Sequence, residues 1–408
     1  MNWRLFFKRN LNFGKKLVRI HHSNALLFLI LSITGLVLFS AAFRSTFPDI
    51  RVDVKNIHIW FGFISVIPLF AYFPKIRRHL KRLRKRINHR NNLFAVIILL
   101  VALLVSGLFL TFHRVFPPVI SSIMLFIHDL ATWIGVPYLI YHSITRSKWF
   151  KRLEKGQLQN EREIHPTPVE DHNPILKRRT FLHKVTGGLI AVLSLPLIIS
   201  WFKPYFPSFG GSLTDVETNH FEPLPKPKPK SKPPIGGGRD GQFRYYTVTE
   251  MPTLTSESWG LTIDGLVERP KNYQWKEFLN LGRDVQVSDF HCVTGWSVYN
   301  VTWEGIPLKK LLENAGVKPD ANYLKFYSAD GVYTDTLTVE QAMIDDVIVA
   351  VLIDGELISR QNGGPVRLIV PKMYAYKSVK WLNRIELIDN EHIGYWEKRG
   401  YAKDAWVK

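Results

Sequence analysis

Six histidines in the first 145 residues lie inside or beside apolar stretches: His21, His22, His58, His113, His128 and His142. Ionisable side chains at membrane depth are costly, so by default they point to function. The most informative spacing is His128 to His142. Fourteen positions of α-helix turn through about 1400°, roughly 40° short of four turns, and rise about 21 Å. Both imidazoles therefore fall on one side of one helix, near opposite leaflets. That arrangement suits two stacked haems, each taking a second imidazole at the same depth from another helix. A second candidate stands far away in sequence. Cys292, in the run DFHCVTGWSV, is the single cysteine of the 408 residues. It cannot form an intramolecular disulfide, which leaves packing, nucleophilic chemistry or metal ligation.

The elements that must position these groups fall into two halves. Composition averaged over the chain, 46% hydrophobic and 22% charged, resembles an ordinary globular protein, but the average conceals the division. Residues 24–43, 57–74, 93–113, 119–142 and 183–202 are apolar stretches of about the twenty residues needed to cross roughly 30 Å of hydrocarbon. From 241 onward the chain reads as short alternating strands and turns, enough for one domain with its own core.

The net charge of +20 is not a nucleic-acid footprint, because it is concentrated at particular membrane edges. Six Lys/Arg precede His22, nine lie in 75–92 and nine in 143–182, against three in 44–55 and one in 114–118. The positive-inside rule puts the basic loops in the cytoplasm, beside anionic lipid, and residues 203–408 on the extracytoplasmic side. Depth then pairs the histidines. His58, at the start of the second span, shares the outer level with His128; His21 or His22, at the start of the first, shares the inner level with His142. His113 is the weaker outer candidate, placed at the interface near a haem propionate or quinol.

Between the halves, Arg178-Arg179 followed by Phe181-Leu182 reads either as a twin-arginine-like export signal or as a basic anchor flanking a span. The stretch PLPKPKPKSKPPIGGG reads as a polyproline-type linker that lets the soluble domain stand off the membrane or reach back to it.

Residues 15–145 resemble the four-helix di-haem cytochrome b subunits of membrane formate dehydrogenases and nickel-iron hydrogenases. The run HHSNA places His21 where that family has its ligand, with His22 replacing a tryptophan and Gly35 at the later glycine position. The resemblance implies His21 as inner ligand, with His22 the alternative. Gly62, four residues after His58, would let a porphyrin face approach the backbone.

From Phe243 to Asp389 the chain resembles the molybdopterin domain of the sulfite oxidase superfamily, above all the catalytic subunits of periplasmic methionine sulfoxide reductases. The runs that carry the likeness are CVTGWSVYNVTWEGIPLKKLL from Cys292, FYSADG from Phe326 and NGGPVRLIVPKMYAYKSVKWLNRIEL from Asn362. The resemblance implies Cys292 as the thiolate ligand of molybdenum, a soft donor suited to a dithiolene-bound metal. It implies Asn362, Arg367, Ser378 and Lys380 as pterin contacts, Ser328 as a hydroxyl contact, and Lys377 as an added phosphate contact. The Gly363-Gly364-Pro365 turn would bring backbone to the ligand. Trp296 and Trp303 serve equally as core. Arg283, Arg244, His291 and Asp330 are candidates for a substrate pocket. Gly295-Trp296-Ser297 stands where sulfite-oxidising members carry arginines.

The expected architecture is multi-domain: an all-α transmembrane four-helix haem bundle plus a fifth anchor helix, then a mixed α+β sulfite-oxidase-type molybdopterin domain. Its expected boundaries are 1–150 for the haem domain, 151–202 for a cytoplasmic loop and fifth helix, 203–240 for a linker and 241–408 for the molybdopterin domain. The expected cofactors are molybdenum-molybdopterin and two b-type haems. The expected reaction exchanges electrons between quinone or quinol in the bilayer of a bacterial cytoplasmic membrane and a small-molecule or protein-bound S- or N-oxide, with a redox partner protein as a further option and nucleic acid excluded. Two readings compete: a sulfite-type dehydrogenase feeding quinone, and a haem protein whose outer domain only docks a partner.

Overall fold

The computed structural model describes residues 13–40, 43, 46–47, 49–147, 149–150, 178–202, 221–238 and 243–408. The 151–177 part of the expected cytoplasmic loop, and 203–220 and 239–240 of the expected linker, lie outside them. The described residues of 1–90, 104–125 and 212–408 form one compact unit, and those of 91–103 and 126–211 a second.

Among the described residues, five helices are long and apolar enough to cross a membrane. They are α1 (Phe13–Phe39), α2 (Arg51–Tyr72), α4 (Ile87–Thr111), α5 (Pro118–Arg146) and α6 (Arg178–Phe202). The helical hydrogen bonds satisfy most of the backbone internally, as hydrocarbon demands, with internal prolines Pro68 in α2, Pro137 in α5 and Pro196 in α6 each omitting one. Two details differ from the sequence expectation. Helix α2 begins at Arg51, so His58 lies about two turns inside it rather than at its start. The basic stretch after α2 is not an open loop: α3 (Ile76–Leu83) continues the helical path through IRRHLKRL.

The C-terminal domain carries two five-stranded sheets. The first orders β2 (Lys271–Gln274), β1 (Gly260–Gly265), β10 (Leu382–Ile388), β5 (Tyr323–Ser328) and β6 (Thr334–Thr338), with β1 and β10 parallel and the other pairs antiparallel. The second orders β3 (Asp284–His291), β4 (Ser297–Pro307), β7 (Ile348–Ile353) and β8 (Glu356–Leu357), and β9 (Arg367–Ile369) also pairs with β7.

Burial explains the strand types. β5 alternates buried and half-buried residues, as a strand covered on one face does, whereas all six residues of β7 are buried. Helix α7 (Trp275–Leu279) starts with a capping box between Gln274 and Glu277, α8 (Leu308–Ala315) follows β4, and α9 (Val339–Ala342) starts with a second box between Thr338 and Gln341. Gly305 sits where β4 shifts register against β7. A Cβ there would come 2.2 Å from the Val349 carbonyl oxygen, so only glycine permits the approach.

The proline-rich stretch departs most from expectation. Residues 221–238 do not stand off as a spacer but are laced onto the domain. Phe221 is buried against the ring of Trp275, whose Nε1–H donates to the Pro223 carbonyl at 2.8 Å. The amides of Lys228 and Gly236 donate to Glu304 Oε2 (3.0 Å) and Thr302 Oγ1 (3.1 Å). Prolines suit this because a polyproline path leaves backbone carbonyls available to a neighbour without forming a sheet edge.

Glu304 is the anchor: fully buried, it also pairs with Arg283 at 3.2 Å. Replacing Glu304 with Ala takes the carboxylate from the part-buried Arg283, which keeps only the Lys226 carbonyl, and leaves the Lys228 amide without its acceptor, at a cost of roughly 1–3 kcal/mol. The expected outcome is a lower melting temperature together with new tryptic cleavage after Lys230, the one lysine of the strap not followed by proline, read by limited proteolysis and mass spectrometry.

Candidate active site

Cys292 ends the antiparallel run of β3 and opens the turn into β4. Its backbone N–H donates to the Trp296 carbonyl at 2.9 Å, and the Gly295 N–H donates to the Cys292 carbonyl at 2.9 Å, with Gly295 at φ +93°. This turn places the thiol on the lining of an open cleft. Of the residues expected in the site, Cys292, Ser328, Asn362, Arg367, Ser378 and Lys380 all line that cleft, brought there from β3, β5, β9 and the two turns flanking β9.

Electrostatics define what the cleft can hold. Arg367 is buried, donates to the Asn362 carbonyl (2.6 Å) and the Ser378 carbonyl (3.2 Å), and lies over the Phe290 ring. Its Nε–H has no hydrogen-bond partner among the described residues. Burial pulls the Arg367 guanidinium down to about 9 and the Lys380 ammonium down to about 7, the latter helped by Arg367. Lys380 donates to the Tyr246 carbonyl at 2.7 Å and lies over Trp381. Among the described residues, four cations, Arg51, Arg244, Arg367 and Lys380, line the cleft against one carboxylate, Asp330. A buried cation without a counter-charge is expensive. The cleft is thus built for an anionic guest rich in hydrogen-bonding groups, which a pterin phosphate is, and the donor set fits molybdopterin.

The thiol fits the metal. Burial pushes Cys292 up, while the Thr294 hydroxyl 3.2 Å from Sγ and the charges of Arg51 and Arg244 act in the opposite sense. A thiol held protonated by its surroundings becomes a thiolate when a cation binds it.

Several expected residues belong elsewhere. Lys377 does not line the cleft. Its ammonium is committed to Asp335 (2.8 Å), the Thr336 carbonyl (3.0 Å) and Glu397, so it neutralises a buried acidic pair rather than a phosphate. Arg283 is held by Glu304, and His291 meets Ser297 Oγ at 2.8 Å; neither lines the cleft, whereas Arg244 and Asp330 do. Trp303 is core, and Trp296 is core that also walls the cleft. The Gly363-Gly364 turn serves packing: a Cβ at Gly363 would meet Lys380 Cβ at 2.5 Å, and one at Gly364 the Ile358 oxygen at 1.8 Å. Sequence reasoning missed Arg51, Tyr246, Trp396 and Tyr401, which also line the cleft. No local motif marks them.

The histidines fall in both units. In the first, Thr34 Oγ1 lies 2.8 Å from His58 Nδ1 and donates its own hydrogen to the Ile30 carbonyl at 2.9 Å. Toward His58 the hydroxyl is therefore an acceptor, Nδ1 carries the proton, and Nε2 presents a lone pair. Fixing one ring nitrogen this way is how ligating imidazoles are oriented. A Cβ at Gly35 would lie 3.3 Å from His58 Cε1, and one at Gly62 would meet no protein atom within 4 Å. His58 and Gly62 thus fit a haem face. His21 and His22 stand side by side with ring centroids 5.8 Å apart, both exposed, and the geometry does not choose between them. In the second unit, the His128 ring bonds the Leu103 carbonyl and His142 lies 6.3 Å from Tyr138. His113, in the first unit, bonds the Leu110 carbonyl and meets the ring of Tyr374.

Comparison with known proteins agrees with both halves. Residues 248–396 match the oxidoreductase molybdopterin binding domain family, and residues 12–158 match the prokaryotic cytochrome b561 family. The uncharacterized oxidoreductase YuiH of Bacillus subtilis is 33% identical over 150 residues, covering 36% of this chain and 75% of that protein. The protein-methionine-sulfoxide reductase catalytic subunit MsrP of Ralstonia nicotianae is 30% identical over 159 residues, 35% of this chain and 48% of its own length. Among solved structures, the sulfane dehydrogenase SoxCD of Paracoccus pantotrophus matches with a TM-score of 0.35 and 24% identity, covering 45% of this chain and 54% of that one.

The fold and site thus define a membrane-linked molybdopterin oxidoreductase. The chain belongs to the sulfite-oxidase-type molybdopterin family and joins that domain to a b-haem membrane domain of the cytochrome b561 type.

The Lys380 charge makes stability depend on pH with a definite sign. Its folded value near 7 lies below its unfolded value near 10.4, so in cofactor-free protein its charge costs stability fully below pH 7, and the cost fades as pH rises toward 10. Lys380→Met is therefore expected to stabilise the cofactor-free protein by roughly 1–3 kcal/mol at pH 6, with the gain shrinking by pH 10, while lowering molybdenum retention. Melting temperatures across pH, paired with metal analysis, check both.

Proposed function

We propose that this protein reduces an S- or N-oxide with electrons from membrane quinol. The oxide's sulfur–oxygen or nitrogen–oxygen bond breaks, and its oxygen leaves as water. The two electrons and two protons come from quinol, which becomes quinone as the oxide becomes a sulfide or an amine. The observation that carries this reading is the convergence of Cys292, Asn362, Arg367, Ser378 and Lys380 on one cation-lined cleft. The relatives named protein-methionine-sulfoxide reductase catalytic subunits support the reducing direction. When bound, molybdopterin supplies oxygen-atom transfer and b haem supplies one-electron exchange with quinol.

The chain's part is positional. Cys292 holds the metal as thiolate. Arg367 and Lys380 neutralise the pterin's anionic end, with Asn362, Ser378 and Ser328 supplying polar contacts. By the depth of the histidines in the sequence, His58 and His128 are assigned to one b haem and His21, with His22 as alternative, and His142 to the other, and Thr34 orients the His58 ring. The molybdopterin domain spans 241–408 together with the strap 221–238, on the extracytoplasmic side of a bacterial cytoplasmic membrane, as the basic stretches flanking the spans support. Cofactor insertion before export would give Arg178-Arg179 its use as an export signal.

Membranes from cells able to make the cofactor should oxidise quinol in a dimethyl sulfoxide- or N-oxide-dependent way. Cys292→Ser should abolish that activity and molybdenum binding while leaving haem. His58→Ala should remove about half the haem and leave molybdenum. Absence of oxide-dependent quinol oxidation alongside sulfite-dependent quinone reduction would reverse the assigned direction.

A further inference from the structure

One cation in the cleft comes from outside the molybdopterin domain. Arg51 is the first residue of α2, yet its guanidinium lines the same cleft as Cys292. It lies 5.3 Å from the ring centre of Tyr246 and 5.2 Å from that of Trp396, and donates to the Tyr401 hydroxyl at 3.2 Å. Two aromatic faces and one hydroxyl hold a planar guanidinium in place while leaving most of its five N–H donors uncommitted. None of the ion pairs among the described residues involves Arg51. The neighbouring carboxylate, Asp49, pairs instead with Arg399.

The surroundings anchor this delivery. Arg114, beyond the end of α4, pairs with Asp404 at 3.9 Å, and Ser122 of α5 donates to the Gly295 carbonyl at 3.3 Å, within the turn that carries Cys292. A Cβ on Gly295 would meet Leu110 at 3.1 Å. The cysteine turn is thus seated against the end of α4 and the start of α5, while Arg51 reaches the cleft from the start of α2.

The division of labour among the cations follows. Arg367 and Lys380 lie together beside Asn362 and Ser378, where the pterin is assigned. Arg51 lies among the rings of Tyr246, Trp396 and Tyr401, next to Lys380, whose ammonium reaches the Tyr246 carbonyl. The turn after Cys292, Gly295-Trp296-Ser297, supplies no arginine of its own. A substrate whose reacting oxygen carries negative charge needs a donor there.

We propose that Arg51, carried by the second membrane helix, is a substrate-recognition residue that binds the negatively polarised oxygen of the S- or N-oxide. This rests on the oxide-reductase reading above. The membrane domain then completes the catalytic cleft as well as feeding it electrons.

The test uses full-length protein with a reduced viologen dye as donor, so that turnover does not depend on the haems, and measures dimethyl sulfoxide and trimethylamine N-oxide kinetics. Arg51→Gln is expected to raise KM roughly 10- to 100-fold with kcat little changed and with molybdenum and haem contents retained; Arg51→Lys should recover part of the loss. Calorimetric titration with sulfate, a non-reacting oxyanion, should show weakened affinity in Arg51→Gln. Arg399→Gln breaks the adjacent Asp49 contact without touching the cleft and should leave both readouts near wild type. Unchanged KM in Arg51→Gln, loss of molybdenum from it, or an equal defect in Arg399→Gln overturns the proposal. If wild type turns over neither oxide, the functional reading fails, and sulfate titration alone decides Arg51: equal affinity in wild type and variant overturns it.

Discussion

The cleft is organised by charge that the polypeptide does not neutralise. Arg367 is buried with carbonyls and aromatic faces for company and an Nε–H without a partner among the described residues. Elsewhere in the same domain buried charge is matched: Lys377 with Asp335 and Glu397, Arg283 with Glu304. Where a fold can pair its buried ions, it does so at modest net gain; where it leaves them unpaired, stability is lost until a guest arrives. The contrast between these clusters is what identifies the cofactor cleft.

The contrast also explains the scaffold. Holding like charges together in the interior needs rigid walls. The two sheets supply them, with β7 buried along its whole length and Gly305 allowing β4 to lie close against it. The strap 221–238 adds cover over Glu304 and Trp275. What reads as a polyproline-type linker is part of the domain's packing.

Much of this was legible in the sequence, and the limits are physical. The apolar spans follow from length and hydropathy, and Cys292, Asn362, Arg367, Ser378 and Lys380 follow from ordered motifs because each sits in or beside a turn whose local chemistry is encoded nearby. Lys377 was misread because a lysine beside Ser378 looks the same in sequence whether it faces a phosphate or a buried Asp335; only the partner, 42 positions away, decides. The strap was misread because composition reports the polyproline conformation but not what it lies against. Arg51 was invisible for the same reason: its three contacts come from residues about 200 to 350 positions distant.

Helix α2 joins the two kinds of chemistry. Arg51 and His58 are seven residues apart, so on a regular helix they lie about 20° short of two full turns, on one face, with a rise of about 10 Å. The same rigid rod therefore carries a cation of the catalytic cleft and an imidazole whose Nδ1 is pinned by Thr34. Neither position can move along the helix axis without moving the other. A separate haem subunit would have to find this geometry by docking each time. Placing both groups on one helix makes it a property of the chain, which is a physical reason for joining a b-haem membrane domain and a molybdopterin domain in a single polypeptide.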